Sequence, residues 1–291
     1  MKKINKIIKI FFYFKNPFDV INLYRGRFLK GEKFLVKPRK GENFFVARAG
    51  DIWLIEKVIN GGQIICATNE ATGEEYIVEN GLFLRQGTSD TFVYKEVFLD
   101  ECYKRSISRL NNESIVIDIG AHIGLFSLYS SEFCCQVYSY EPHPDNYKLA
   151  KKNIENRKVK NIYLNNLAVS SRSQETLYIS DGKNENTGEH HLGAKGYPIE
   201  TISLEDIFKK NDIKHCDLLK MDVEGAEYDI ILNTPDYIFE KIFNLSMEYH
   251  PDLDNKRTLN DLLFLLKGNH FVCEVEKITE KVGLIFAKKY R

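Results

Sequence analysis

The stretch 220–227, KMDVEGAE, sets Asp222, Glu224, Gly225 and Glu227 behind an apolar run. Three chemistries suit those residue types. Carboxylates from several segments can cage a hard cation, with Glu248 and His250 of MEYHP as further donors. No spacing rule selects that set, and no metal is assigned. A carboxylate and a histidine can instead share a proton in general acid–base work. The third role is structural: acids in the first turn of a helix offset its dipole, by about 0.3–1 kcal/mol each. That suits Glu227 well and Glu224 in part, whereas Asp222, at the strand end, is placed for cofactor and acceptor. His250, just past an apolar strand, is the first candidate for general base, with Glu248 as its orienter or as a ligand of the acceptor. His190 and His191, in the polar, glycine-rich stretch 181–198 read as a loop over the site, are its rivals. Lys220, two residues before Asp222 on one strand face, is expected to pair with a carboxylate.

A second constellation, VIDIGAHIG, places Asp118 at the end of a strand and Gly120, Ala121 and Gly124 in the turn that opens a helix. Glycine there lets backbone pass close to a ligand, and a helix start supplies free N–H groups. The spacing is GxxxG, with His122 where a dinucleotide-binding GxGxxG has its middle glycine, which argues against pyrophosphate and hence against NAD. Asp118 would repel a phosphate but could pair with a ligand ammonium. Glu141, 21 residues after Gly120 and followed by Pro142, stands where a carboxylate accepts hydrogen bonds from ribose hydroxyls. A glycine turn and a ribose carboxylate without a pyrophosphate site fit S-adenosylmethionine. Asn166, Leu167 and Ala168 would then offer backbone and an apolar edge to adenine.

The elements that must hold these residues fall into two regimes. Residues 32–98 read as β-rich, with FFVARAG, DIWLIEKVINGG, QIICATNEATGEEYIV and LFLRQGTSD as strand segments and Asn60-Gly61-Gly62 as a hairpin turn. From residue 99 onward strands and helices alternate, which implies an α/β, Rossmann-like doubly wound sheet with ligands beyond the carboxyl ends of its strands. Before both, residues 1–31 include a basic segment in which Ile4, Ile7, Ile8, Phe11 and Phe12 recur at helical spacing among lysines. Its first reading is a helix docked by that apolar face on its own domain; its second is peripheral membrane contact through residues 1–16.

Composition bounds the rest. The 291 residues carry 41 basic and 41 acidic side chains, so no global field points to nucleic acid. The six cysteines show no CxxC spacing, which suits a reducing compartment, and no small-residue cleavage site follows the basic segment. A cytoplasmic enzyme is expected, with the inner membrane surface as its second location.

Taken in order, VIDIGAHIGLFSLYS, YEPHPDNYKLAKKNI, NLAVSS, TISLEDIF, DLLKMDVEGAEYDIIL and LSMEYHP resemble the FkbM-type methyltransferases, a branch of the class I S-adenosylmethionine-dependent enzymes. The resemblance spans roughly residues 85–290, the region of strand–helix alternation. It implies a seven-stranded sheet with an antiparallel last strand and methylation of a hydroxyl oxygen, often on a sugar or natural product. The segment LRQGTSDTFVYKEVF resembles that family's lead-in and brings Arg85, Asp90 and Glu96 toward the cofactor side. His122 stands where the family often has a small or amidic residue. A nicotinamide oxidoreductase, an N-methyltransferase and a scaffold without turnover are the alternatives.

Overall fold

The computed structural model describes residues 9–24, 34–40, 42–46, 51–68, 75–179, 192–193, 196–253 and 256–289. Two compact units divide the chain, one from the first hundred residues and one beginning at Glu101.

The N-terminal unit holds helix α1 (Pro17–Tyr24), a two-stranded ribbon of β1 (Phe34–Val36) and β2 (Phe44–Val46), and helix α2 (Ile52–Ile59). A three-stranded antiparallel sheet follows, of β3 (Ile65–Thr68), β4 (Glu75–Glu79) and β5 (Leu82–Arg85), then α3 (Asp90–Tyr94) and a π-helical turn over Lys95–Leu99. DIWLIEKVINGG is therefore a helix rather than a strand. Its buried residues include Leu54, Ile55, Val58 and Ile59, spaced to line one helical face. Asn-Gly-Gly ends that helix instead of turning a hairpin: Gly61, at φ +88°, and Gly62 donate their N–H groups to the carbonyls of Val58 and Lys57. In the basic segment, residues 1–8 lie outside the described residues. Residues 9–13 are helical, with Ile10 and Phe14 buried, whereas Phe11 and Phe12 of the expected apolar face are exposed.

The C-terminal unit opens with α4 (Lys104–Ile107) and then alternates: β6 (Ile115–Ile119), α5 (Leu125–Ser131), β7 (Gln136–Tyr140), α6 (Pro144–Asn156) and β8 (Ile162–Asn165). NIYLNNLAV, read as one strand, breaks after Asn165. Its second half, β9 (Ala168–Ser170), joins a separate four-stranded sheet with β10 (Thr176–Ile179), β11 (Leu192–Gly193) and β12 (Tyr197–Ser203). Most of the glycine-rich stretch, His190 and His191 included, lies outside the described residues. Helix α7 (Leu204–Lys210), capped by the Ser203 hydroxyl, leads to β13 (Leu218–Met221), α8 (Glu227–Asn233), α9 (Asp236–Phe239), β14 (Asn244–Tyr249) and α10 (Leu259–Gly268). The hairpin β15 (Val272–Lys277) and β16 (Gly283–Lys288) closes the unit.

The main sheet has seven strands in the order β15-β16-β14-β13-β6-β7-β8. β8, β7, β6, β13 and β14 run parallel and β16 antiparallel to β14, so the fold is the doubly wound sheet with an antiparallel last strand. Such parallel strands are covered on both faces and read as apolar runs. Val116, Ile117, Leu218, Leu219 and Met221 accordingly sit in the core. The winding reverses between β6 and β13, which opens a crevice at their carboxyl ends.

Candidate active site

One face of the sheet carries a buried polar row. Ser139, Asp118, Lys220 and Ser246 are successive register partners on β7, β6, β13 and β14. The Lys220 ammonium lies 3.4 Å from Asp118 and 4.0 Å from Asp222, and donates to the Gly120 carbonyl at 2.8 Å. Burial lowers its pKa, but the Asp118 and Asp222 charges outweigh that and raise it. Lys220 is thus paired as expected. The cation that Asp118 faces is therefore Lys220 rather than the expected ligand ammonium. Asp118 is fully buried, takes a hydrogen bond from Ser127 at 2.5 Å and neutralises Lys220. Its position inside the parallel strand, not at its tip, is the physical reason.

Above this row the chain turns through Gly120 (φ +77°), His122 (φ +51°) and Gly124 (φ +82°). Gly120 is required by its neighbour strand more than by a ligand: a Cβ there would lie 1.8 Å from the Asp222 carbonyl oxygen. The Gly120 and Ala121 N–H groups both donate to the Tyr140 carbonyl, and Asn153 holds the Ile123 carbonyl at 3.0 Å. Gly124 meets Ala150 on α6, which leaves little room for a side chain.

Glu141 closes β7 beside this turn. Its Oε2 accepts the His122 N–H at 2.7 Å, and its Oε1 accepts the His143 N–H at 2.9 Å and the Asn146 amide at 3.4 Å. The glycine turn and the start of α6 are tied to one carboxylate. Burial pushes that carboxyl up to about 7, against the pull of those three donors and of the Lys220 charge. Asn166 donates to the Glu141 and Pro142 carbonyls at 2.8 and 2.9 Å, fixing the loop after β7. Ala168 differs from expectation: its side chain packs with Ile179 and Ile199 in the side sheet rather than offering an apolar edge to a ligand.

The acidic cluster splits differently from the sequence reading. Glu224 adopts φ +53° and Gly225 φ +104°, so the chain doubles back over the end of β13. A Cβ on Gly225 would lie 3.0 Å from the Pro251 carbonyl, which accounts for glycine there. Glu227 does more than serve its helix. It is fully buried, accepts the Gly225 N–H at 2.8 Å and holds His250 Nδ1 at 2.8 Å. His250 Nε2 then faces Glu224 at 3.3 Å and Glu248 at 3.6 Å. Burial lowers the His250 pKa, but the hydrogen bond and charge of Glu227 and the charges of Glu224 and Asp222 outweigh it and push it up to about 9. Ligand atoms of Asp222, Glu224 and His250 lie within 4.8 Å of one another and could hold a cation. Nothing in the octapeptide indicated the Glu227–His250 pair, because its members lie 23 residues apart on different elements.

Two expected cofactor residues belong to the N-terminal unit. Asp90 is fully buried and committed to Arg85, with both carboxylate oxygens taking guanidinium N–H groups at 2.8 and 2.9 Å and one also taking the Arg85 backbone N–H. Its role there is to brace β5 against α3. Glu96 lies on the π-helical turn of the same unit.

The donor set tests which nucleotide fits. The buried ammonium on the polar row is neutralised by Asp118, and the His122 N–H is taken by Glu141, so neither of these groups serves a pyrophosphate. A buried carboxylate next to a glycine turn suits a ribose with a cationic tail. Fold and site together define a doubly wound nucleoside-dependent enzyme of the S-adenosylmethionine type. The Methyltransferase FkbM domain matches residues 118–273, more than half of the chain, and the chain belongs to that family. It is an S-adenosylmethionine-dependent methyltransferase.

Relatives agree at modest identity. "Methyltransferase 1" of Beauveria bassiana is 27% identical over 210 residues, covering 64% of this chain and 82% of that protein. The 31-O-demethyl-FK506 methyltransferase FkbM of Streptomyces tacrolimicus is 26% identical over 220 residues, covering 64% and 83%. The hexuronic acid methyltransferase AglP of Haloferax volcanii is 21% identical over 184 residues, covering 63% and 74%.

Proposed function

We propose that the chain methylates a hydroxyl oxygen of a sugar, glycan or glycolipid, with the acceptor docked at Asp222, Glu248 and His250. The observation that carries this reading is the carboxylate-rich cluster at the ends of β13 and β14, which suits the many hydroxyl donors of a sugar. The relative named for 31-O-demethyl-FK506 supports transfer to an oxygen, and the one named for a hexuronic acid supports a sugar acceptor.

Bound S-adenosylmethionine supplies a methyl carbon on a sulfonium, so the C–S electron pair leaves with sulfur as the C–O bond forms. Glu141 holds the ribose hydroxyls, and the backbone of Gly120 and Ala121 shapes the turn beneath. Aligning the two reactants accounts for as much as about 7–11 kcal/mol of the barrier in favourable cases. The acceptor must also lose its proton. Both ring nitrogens of His250 already face carboxylates, so Glu248, 3.6 Å from Nε2, takes that proton and His250 holds Glu248 in place.

A lipid-linked acceptor accords with the N-terminal segment. Phe12 and Phe18 are 74% and 70% exposed, Lys9 and Lys15 are exposed nearby, and residues 1–18 contain no acid. Aromatic side chains among lysines suit an anionic lipid surface. No helix among the described residues is long and apolar enough to cross a membrane. Isotope-labelled methyl transfer into polar and lipid extracts tests the acceptor. Label in a sugar methyl ether is expected; label on nitrogen would overturn the reading.

A further inference from the structure

We propose that Asp222, Glu224 and His250 form a binding site for one divalent transition-metal ion, at the acceptor end of the site described above; this rests on that reading for its role, though not for its geometry. Ligands about 2.1 Å from an octahedral ion stand about 3 Å from one another. The His250 Nε2 to Glu224 separation of 3.3 Å is close to that spacing, and the three donor atoms lie within 4.8 Å of one another. Glu248, 3.6 Å from the same nitrogen, borders the site.

Independent features outside the donor set prepare it. Glu227, fully buried and on α8, fixes the imidazole through Nδ1 and so turns Nε2 toward the carboxylates. A carboxylate behind a histidine is the usual outer partner of a metal-ligating imidazole. The second Glu227 oxygen is tied to the Gly225 N–H, so the orienting group is itself immobilised. Beneath the cluster, on the face it shares with Glu248, Ser246 buries a hydroxyl with no hydrogen-bond partner among the described residues. Charge points the same way. Asp222, Glu224, Glu227 and Glu248 are four carboxylates gathered around the His250 imidazole and the Lys220 ammonium, and Lys220 also serves Asp118. A doubly charged ion restores the balance, and the single nitrogen among oxygens favours manganese, iron or zinc over calcium or magnesium. An ion held by these residues would supply a positive charge to polarise an acceptor oxygen.

Titration of chelator-treated full-length chain with Mn2+, followed by calorimetry and by the loss of the free-ion electron paramagnetic resonance signal, tests the site. One ion per chain is expected at sub-millimolar concentration, with Glu224→Gln and Glu227→Gln each weakening it by about 10-fold or more. S-adenosylhomocysteine binding, measured in parallel, shows that each variant is folded. Absence of Mn2+ binding, or binding unchanged in Glu224→Gln and in His250→Ala, would overturn the proposal. Mn2+ binding without S-adenosylhomocysteine binding would instead leave the metal site standing and remove the role given to it.

Discussion

Replacing Glu141 with glutamine changes one atom and tests the nucleotide half of the site. In the native chain both carboxylate oxygens accept backbone N–H groups, at 2.7 Å from His122 and 2.9 Å from His143. The glutamine amide can accept at only one of them, and its NH2 must face a second donor. A hydrogen bond to a charged group contributes about 1.5–3 kcal/mol, so losing one toward the ribose should weaken S-adenosylhomocysteine binding by about 10- to 100-fold. A pH signature should vanish with it. Burial raises this carboxyl to about 7 from its ordinary 4.5. The protonated form is therefore favoured by folding: its stabilising contribution is complete below about 4.5 and is lost as the pH rises through 7. Ribose hydroxyls favour the ionised form, so native affinity should fall as the pH drops below 7, by at most about tenfold per unit. Calorimetry of both chains from acid to mildly alkaline pH reads both effects. A folded Glu141→Gln chain that binds within about twofold of native, with the same pH profile, would refute the assignment of Glu141 to the ribose.

Gly120→Ala should destabilise the C-terminal unit by about 3 kcal/mol or more, since its Cβ would meet the Asp222 carbonyl; a fall in thermal midpoint of roughly 6–12 °C is expected. Glu227→Gln should lower kcat by about 10- to 100-fold with little change in the KM for S-adenosylmethionine, because it acts through His250 and not through Glu141. In the N-terminal unit, Asp90→Ala leaves the Arg85 guanidinium buried without its partner, and urea denaturation should show a loss of about 3–5 kcal/mol. Replacing Phe12 and Phe18 together by glutamate should abolish co-sedimentation with anionic vesicles while leaving S-adenosylhomocysteine binding intact.

Much of the cofactor half was legible because its signal is local. Gly120, Gly124 and Glu141 sit at strand ends whose spacing the alternation of elements dictates, and the structure brings them together. The burial of Asp118 was not legible, because a strand boundary shifted by one residue turns a strand-end carboxylate into a buried partner of Lys220. The Asp90 pairing was not legible for another reason: its arginine partner is five residues away, across a turn that pattern alone does not show. Helix α2 is rich in Ile and Val, which also suit a strand, and only the spacing of its buried face marks it as a helix. The acceptor half was least legible. Glu227 looked like a dipole acid, and only the packing of α8 against the end of β14 reveals that it holds His250.

Calorimetric titration of the full chain with S-adenosylhomocysteine and, separately, with NAD tests the central claim most directly. One S-adenosylhomocysteine per chain, no NAD, and loss of affinity in Glu141→Gln is the predicted result. Binding of NAD in its place would contradict it.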